Sequence, residues 1–216
     1  INGSDMDAIR NSILYAANSD DYHVIVAPEY SFISKNGPIT KDEKEHYVNV
    51  FKNASSNNKL IIPGTFVWQE NGTMYNRAYV FDKGSVKTEY DKNRDGGESI
   101  IAKRVNLVPH FGKVHCAFGW GKLKLGVEIC ADAGLLYQRE IFDRDLTIQI
   151  SAGCGLGARA GKQSLREGGY CVVAEGAYGD YFAEQKSDNS ILDSSEIIDL
   201  PRRGPVKKII DIIVGN

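Results

Sequence analysis

The sequence has 216 residues, of which 42% are hydrophobic and 25% are charged, a composition typical of an ordinary soluble globular protein. The length suits one domain with a sizeable core, and we predict a single domain over residues 1–216. The formal net charge is −2 and the pI is about 6.1, so no overall field draws the chain to nucleic acid.

No apolar run reaches the ~18–20 residues that a membrane-spanning helix needs, so we expect no membrane partner. The chain begins at Ile1 rather than at methionine, which leaves room for an upstream segment that has been removed. Four cysteines are widely spaced and form no CxxC pair, a pattern that favours reduced thiols and a cytoplasmic location over a disulfide framework. They are Cys116, Cys130, Cys154 and Cys171.

Two helices are predicted near the start of the chain, because apolar residues recur there at helical spacing. The first covers residues 4–17 and the second residues 40–56. Ser4 and Thr40 each precede an acidic residue by three positions, which is the pattern of a capping box at a helix N-terminus.

Four runs rich in β-branched and aromatic residues predict strands in the first half of the chain. A Pro-Gly pair bends the second run, and Asn-Gly and Lys-Gly pairs mark turns between the later ones. Residues 91–114 show no regular pattern and are predicted to form a long loop, a kind of segment that often carries function. The predicted strands are residues 23–28, 60–68, 75–81 and 86–90.

The second half of the chain alternates strand and helix patterns. Residues 122–129 alternate polar and apolar side chains and predict a strand that ends at Cys130. The alternation of strands and helices along the chain indicates an α/β or mixed α+β class. The other predicted elements are helices at 133–142 and 158–168, a glycine-rich turn at 153–157, and strands at 145–151, 170–174, 190–192 and 207–214.

Three reactive side chains follow the ends of three separate predicted strands: Glu29, Lys92 and Cys130. Taken singly, each fits a solvated or inert residue. Strand ends are where side chains from distant parts of a chain converge in open sheets. Together, a carboxylate that accepts a thiol proton, a nucleophilic cysteine and an ammonium that stabilises negative charge predict covalent catalysis.

The sequence resembles the nitrilase (carbon–nitrogen hydrolase) superfamily in three motifs that occur in the family's order. Residues 25–29 (Ile-Val-Ala-Pro-Glu) resemble its glutamate motif. Residues 75–81, followed by residues 89–92 (Glu-Tyr-Asp-Lys), resemble its lysine motif. Residues 126–132 (Gly-Val-Glu-Ile-Cys-Ala-Asp) resemble its cysteine motif. The two strands that follow the cysteine motif in the family are similar to residues 145–152 and 170–174 of this sequence.

The resemblance implies a four-layer α-β-β-α sandwich of the nitrilase type that pairs into a homodimer or higher homo-oligomer. It implies Glu29 as general base, Lys92 as stabiliser of the tetrahedral intermediate and Cys130 as nucleophile. The backbone N–H of Ala131 would complete the oxyanion site. The implied substrate is a small-molecule amide, carbamoyl compound or nitrile, cleaved through a thioester or thioimidate without a metal or organic cofactor.

Three departures from the family pattern bear on this interpretation. The strand that normally precedes the first helix is reduced to residues 1–3. Glu98 lies where the family often has a second glutamate, but its spacing from Cys130 is longer than usual. Residues 93–121 match no branch of the family, so the resemblance indicates the reaction class rather than the substrate.

Other functions fit parts of the sequence. Residues 153–158 (Gly-Cys-Gly-Leu-Gly-Ala) match a dinucleotide-binding turn, and Glu175 follows at the spacing of a ribose ligand. Only about 40 residues follow Glu175, too few for the rest of such a sheet. The remaining alternatives are a catalytically inactive binding scaffold and two sites that use histidine. These two are a Cys–His hydrolase that pairs Cys130 with His110 or His115, and a metal site at His110, His115, Cys116 and Cys130.

Overall fold

The computed structural model describes residues 5–152, 164–176, 181–187 and 190–191. The chain divides into two compact units, residues 1–114 and residues 115–216. Each unit is described separately. The single domain predicted over residues 1–216 stays a prediction.

The first helix of the first unit, α1, covers Met6–Ala17. Its cap differs from the predicted one, because the side chain of Asp5 accepts a hydrogen bond from the N–H of Ala8 at 3.0 Å. Ser4, the predicted cap, lies outside the described residues. An aspartate carboxylate at this position also interacts favourably with the positive end of the helix dipole.

The second helix, α2, covers Lys41–Ala54 and begins with the predicted capping box. The hydroxyl of Thr40 accepts a hydrogen bond from the N–H of Glu43, and the Glu43 carboxylate accepts one from the N–H of Thr40 at 2.7 Å. This pair satisfies two backbone donors that have no partner within the helix. The prediction for this helix is confirmed.

Six strands form a mixed sheet in the first unit: β1 (Val24–Val26), β2 (Leu60–Ile62), β3 (Thr65–Glu70), β4 (Thr73–Asp82), β5 (Ser85–Asp91) and β6 (Val108–Pro109). Strand β1 is parallel to β2, and β4 pairs antiparallel with β2, β3 and β5. The predicted Asn-Gly and Lys-Gly turns join β3 to β4 and β4 to β5. The strands and turns predicted here are therefore confirmed.

The two faces of β4 carry different residues, because successive side chains of a strand point to opposite sides of the sheet. Tyr79 and Phe81 belong to the core that also contains Tyr47 and Phe51 of α2. On the alternate positions of β4, Asn76 is 1% exposed between buried apolar neighbours. The opposite face of the sheet therefore holds a buried amide side chain.

The segment predicted as a long loop, residues 91–114, contains regular structure. A seven-residue helix, α3, covers Glu98–Arg104, and strand β6 follows it. The helix begins after Gly97, whose φ of 131° is a conformation that glycine adopts without strain. Seven residues are too few to give a clear 3.6-residue pattern, so the sequence does not reveal this helix.

The second unit has its own six-stranded sheet: β7 (Cys116–Trp120), β8 (Leu123–Ile129), β9 (Arg144–Ser151), β10 (Leu165–Glu175), β11 (Tyr181–Ser187) and β12 (Ser190–Ile191). The strands lie in chain order from β7 to β12. The three central strands β8, β9 and β10 are parallel to one another, whereas β7 pairs antiparallel with β8, and β11 pairs antiparallel with β10 and β12. Strands β7 and β11 were not predicted.

The predicted helix at 133–142 is wrong for most of its length. A short 3₁₀ turn covers Cys130–Asp132, and the one-turn helix α4 covers only Leu135–Gln138. Gly134 between them has a φ of 80°, which interrupts a right-handed helix.

The predicted helix at 158–168 is also wrong in its described part, because residues 165–168 belong to β10. The rest of that helix, the glycine-rich turn at 153–157 and the strand at 207–214 lie outside the described residues. Across the described ranges, no helix is both long and apolar enough to cross a membrane. Cys116, Cys130 and Cys171 form no disulfide among the described residues, and Cys154 lies outside them, so the reduced state of the thiols stays a prediction.

Candidate functional site

Glu29 lies in a tight turn just after β1 and is 3% exposed. The hydroxyl of Ser31 donates to the carbonyl of Pro28 at 2.7 Å, which closes the turn around Glu29. Tyr30 has a φ of 60°, and its N–H donates to the hydroxyl of Thr65 at 2.9 Å. A non-glycine residue at positive φ is strained, so the tertiary contacts of this turn hold it in place.

Gly64, in the bend between β2 and β3, allows the turn around Glu29 to approach the sheet. A Cβ atom at this position would lie 2.0 Å from the carbonyl oxygen of Pro28 and 2.6 Å from the hydroxyl of Ser31. The φ of Gly64 is 82°, which also disfavours any side chain. The predicted Pro-Gly bend therefore has a specific task, which is to position the segment that carries Glu29.

Replacing Gly64 with alanine is expected to lower the free energy of unfolding by at least about 2 kcal/mol, because the new methyl group displaces the Pro28 carbonyl. Gly72 provides the matched control, since its φ is 77° and a Cβ there meets nothing within 4 Å. Gly72→Ala should cost only about 1 kcal/mol, the penalty for positive φ alone. Urea unfolding of both variants measures the difference, and equal losses would show that the close approach at Gly64 is unimportant.

Lys92 follows β5 directly and is 1% exposed. Its N–H donates to the carbonyl of Asn76 at 2.9 Å, and its own carbonyl accepts from the N–H of Gly112 at 2.9 Å. Its ammonium lies 2.7 Å from Oε1 of Glu29 and 2.8 Å from Oε1 of Glu98. The structure thus brings together two of the three residues predicted from strand ends, and it adds a second carboxylate.

Glu98 is the glutamate whose role the sequence left open. Its Oε1 atom accepts hydrogen bonds from the Tyr30 hydroxyl at 2.5 Å and from Nδ2 of Asn76 at 2.9 Å, besides the contact with Lys92. Its Oε2 atom accepts from the N–H of Gly96 at 2.8 Å. Asn76 also donates from Nδ2 to Oε1 of Glu29 at 3.0 Å. We call Glu29, Asn76, Lys92 and Glu98 the buried carboxylate–lysine cluster.

The charges of this cluster support one another. Burial alone lowers the pKa of the Lys92 ammonium, but the adjacent carboxylates of Glu29 and Glu98 outweigh it and raise that pKa. Burial raises the pKa of Glu98, but Lys92, the Tyr30 hydroxyl and the backbone N–H of Gly96 outweigh it and lower that pKa. At neutral pH the cluster therefore holds a protonated lysine against an ionised Glu98.

Cys130 belongs to the second unit, where it follows β8 and opens the 3₁₀ turn that includes Ala131. Its side chain is 7% exposed and its φ is 45°. Its carbonyl accepts from the N–H of Ala133 at 3.0 Å, which closes the turn. A cysteine held at positive φ at a strand end is a strained position, and strain of this kind is concentrated at functional sites.

Glu128, two residues before Cys130, anchors the segment that follows the cysteine. Its two carboxylate oxygens accept from the N–H of Gly134 at 2.9 Å and from the N–H of Leu136 at 2.8 Å. Burial raises the pKa of this carboxyl, while these two backbone donors oppose that rise. No role was predicted for Glu128, although a glutamate among the apolar residues of a strand indicates a buried carboxylate with specific partners.

The two alternative sites that use histidine have less structural support than the buried carboxylate–lysine cluster. His110 lies in the first unit, where its Nε2 atom is 3.5 Å from Oδ2 of Asp91 and its ring centroid is 4.9 Å from that of Tyr75. Within the described ranges, no group of three or more His, Cys, Asp or Glu residues is placed to hold a metal ion. His110 thus contacts residues of β4 and β5 within the first unit.

Comparisons with known proteins show a shared fold. The structure of glutamine-dependent NAD+ synthetase from Acinetobacter baumannii, in complex with ADP, superposes with a TM-score of 0.63 at 18% identity, over 88% of this chain and 40% of that one. A mutant of an amidase from Nesterenkonia sp. AN1 superposes with a TM-score of 0.58 at 16% identity, over 83% of this chain and 75% of the amidase. In that structure the acetamide moiety of fluoroacetamide is added covalently at the active-site cysteine. Another mutant of this amidase, described as a nitrilase-superfamily protein, superposes with a TM-score of 0.59 at 16% identity, over 83% of this chain and 76% of the amidase.

No protein-family model matches the sequence. No curated protein matches it either. The chain spans less than half the length of the NAD+ synthetase and about three quarters of the amidase. At these identities the likeness concerns the fold, and it confirms the mixed α+β class and the nitrilase-type fold that the three motifs predict.

Proposed function

We propose that this chain, which has the nitrilase-type fold, is a cysteine-dependent hydrolase of a non-peptide carbon–nitrogen bond in a small molecule. The observation that carries the proposal is the contact of Lys92 with Glu29, at 2.7 Å, in a cluster whose side chains are all buried. A buried ammonium between two carboxylates is costly to maintain for stability alone. Perturbed and paired ionisable groups of this kind are concentrated at catalytic sites.

In the proposed reaction, Glu29 takes the thiol proton of Cys130 and the sulfur attacks the substrate carbon. The electron pair of the carbonyl or nitrile bond moves to oxygen or nitrogen, where Lys92 and the N–H of Ala131 stabilise the negative charge. For an amide, the tetrahedral intermediate collapses as ammonia or an amine leaves with the proton held by Glu29. Water, deprotonated by Glu29, then cleaves the thioester, releases the acid and restores the thiol.

Glu98 fits this scheme as the second carboxylate beside Lys92. By accepting one hydrogen of the ammonium at 2.8 Å, it holds Lys92 without placing the whole counter-charge on Glu29. Lys92, the Tyr30 hydroxyl and the N–H of Gly96 lower the pKa of Glu98, so this carboxylate stays ionised and supplies counter-charge while Glu29 exchanges a proton. Glu29 in that setting is well suited to accept and return a proton.

The substrate class is proposed from the solved amidases. Two mutants of the Nesterenkonia amidase show covalent addition of the acetamide moiety of fluoroacetamide at the active-site cysteine, and another mutant was obtained in complex with butyramide. Short aliphatic amides are therefore the first substrates to assay here, followed by carbamoyl compounds and nitriles. The assembly into a homodimer or higher homo-oligomer is likewise a proposal.

The test is covalent labelling together with turnover. Wild-type protein incubated with fluoroacetamide should gain the mass of one acetamide group, and peptide mapping should locate it on Cys130. The Cys116→Ala variant should be labelled in the same way, because Cys116 is a second buried thiol of the same sheet. A panel of short amides, carbamoyl compounds and nitriles, assayed for ammonia release, supplies turnover. Absence of both label and ammonia would favour the catalytically inactive binding scaffold.

A further inference from the structure

Asn76 bridges the same two oxygen atoms that Lys92 bridges. Nδ2 of Asn76 is 3.0 Å from Oε1 of Glu29 and 2.9 Å from Oε1 of Glu98. Nζ of Lys92 is 2.7 Å and 2.8 Å from those two oxygens. Two nitrogen donors and two oxygen acceptors thus form a closed ring of four hydrogen bonds.

The orientation of the Asn76 amide follows from its partners. An amide nitrogen carries two hydrogens and the amide oxygen carries none, so only the nitrogen can lie between two carboxylate oxygens without repulsion. The Oδ1 atom of Asn76 then turns away from the ring and is buried without a hydrogen-bond partner among the described residues. Leaving a buried acceptor unsatisfied costs stability, which indicates that this amide is retained for its contacts with the carboxylates.

We propose that Asn76 is a positioning residue that holds Glu29 and Glu98 on Lys92 and thereby sets the geometry and proton affinity of the general base. The effect on turnover rests on the proposed hydrolase function, whereas the effect on the carboxyl groups does not. Without Asn76, the flexible Lys92 side chain remains as a bridge between the two carboxylates. Each carboxylate then loses a neutral donor that adds no charge of its own.

Besides Asn76, three groups among the described residues of the first unit are placed against the two carboxylates, and one of them is the N–H of Gly96, which donates to Oε2 of Glu98 at 2.8 Å. The other two are the ammonium of Lys92, which contacts both carboxylates, and the Tyr30 hydroxyl, which donates to Glu98. The ammonium also lies 5.7 Å from the centre of the Tyr30 ring. Removing the Asn76 amide takes one hydrogen bond from each carboxylate, and an ionised carboxylate that loses a donor shifts towards its protonated form.

The backbone and side chain of Asn76 can be tested separately. Its carbonyl accepts the N–H of Lys92 at 2.9 Å, and this bond survives any side-chain substitution. Asn76→Ala removes the amide, and Asn76→Asp keeps its shape but replaces a donor with an acceptor. Val80→Ala is the matched control, because Val80 is fully buried on the same face of β4 and is absent from the cluster.

The first measurement uses protein with ¹³C-labelled glutamate and requires no substrate. The titration midpoints of the Glu29 and Glu98 carboxyl groups, followed by NMR, should move upward by about one pH unit or more in Asn76→Ala, and further in Asn76→Asp. Val80→Ala should leave them within about 0.3 unit of wild type, even where its loss of stability is as large. Midpoints that stay at the wild-type values in both Asn76 variants would overturn the proposal.

The second measurement is the rate of labelling by fluoroacetamide, or kcat for the best amide, as a function of pH. In Asn76→Ala, kcat should fall about 10- to 100-fold with KM within about threefold of wild type, and the acidic limb of the profile should move to higher pH. A uniform loss that Val80→Ala shares would mean a structural role only and would contradict the proposal. A wild-type protein that neither labels nor turns over refutes the hydrolase function, while the carboxyl titration still decides the role of Asn76.

Discussion

Replacing Cys130 with alanine is expected to lower kcat/KM for the best amide substrate by about 10⁴-fold or more, because no other group supplies the nucleophile in the proposed reaction. The label from fluoroacetamide should disappear as well. The substitution removes one sulfur atom from a side chain that is 7% exposed, so the fold should persist. Near-ultraviolet circular dichroism and urea unfolding check that the protein remains folded when activity is lost.

Two further variants sharpen the test of Cys130. Cys116→Ala, in β7 of the same sheet, should retain both activity and label, which separates loss of the nucleophile from loss of a buried thiol. Cys130→Gly should be equally inactive yet at least as stable as Cys130→Ala, because glycine adopts the φ of 45° without strain. An alanine variant that keeps a tenth or more of the wild-type rate would exclude Cys130 as the nucleophile, and with it both the proposed reaction and the Cys–His scheme, which also relies on Cys130.

The meeting of Glu29 and Lys92 could be predicted from the sequence because strand direction determines it. Strand β1 is parallel to β2, β2 is antiparallel to β4, and β4 is antiparallel to β5. Strands β1 and β5 therefore run in the same direction, and the residues that follow their carboxyl ends lie at one edge of the sheet. Two short apolar runs, each followed by an ionisable residue, carry this information without any knowledge of side-chain contacts.

The contact of Glu98 with Lys92 and the participation of Asn76 could not be predicted, for two different reasons. Glu98 comes to Lys92 through α3, a seven-residue helix that leaves no periodic pattern in the sequence. Asn76 lies in a predicted strand, but the sequence does not say which residues pack against each face of that strand, because this depends on the tertiary structure. Two signals pointed to it: its place in the lysine motif at residues 75–81, and its position between Met74 and Ala78, which are both buried on the same face of β4.

The failed helix after Cys130 shows how a local rule is overridden. Residues 135–142 contain enough apolar side chains to suggest a helix, but Gly134 adopts a φ of 80° and Glu128 captures the N–H groups of Gly134 and Leu136. These contacts join residues six and eight positions apart, and propensity alone does not encode them. The strain at Cys130 has the same origin, since the turn depends on neighbours rather than on the cysteine itself.

Replacing Lys92 with methionine should lower the free energy of unfolding at pH 7 by about 3–5 kcal/mol, the usual cost of leaving a buried charge without its partner. Methionine keeps most of the apolar stem, so lost packing adds little. Lys92 and both of its carboxylate partners are buried, and solvent therefore does not screen this interaction. Urea unfolding at a series of pH values measures the loss.

The pH dependence of that loss identifies its cause. In the wild type, folding lowers the pKa of Glu98. The ionised Glu98 carboxylate therefore stabilises the fold at pH values above its unfolded-state pKa, and this stabilisation is lost as the pH falls through its folded-state pKa. Without the ammonium, two adjacent buried carboxylates bind a proton more tightly in the folded state than in the unfolded state. The stability of Lys92→Met should therefore rise as the pH falls from 7 towards about 5, the opposite slope to that of the cluster in the wild type.

Lys41→Met is the matched control, because Lys41 makes an exposed ion pair with Glu70 at 2.7 Å. Solvent and salt screen such a pair, so its loss should change neither stability nor its slope with pH noticeably. If Lys92→Met follows the pH dependence of the wild type, the two carboxylates do not depend on the ammonium for their ionisation. If its slope reverses while Lys41→Met keeps that of the wild type, the buried ammonium is what keeps Glu29 and Glu98 ionised side by side, which a general base beside a second carboxylate requires.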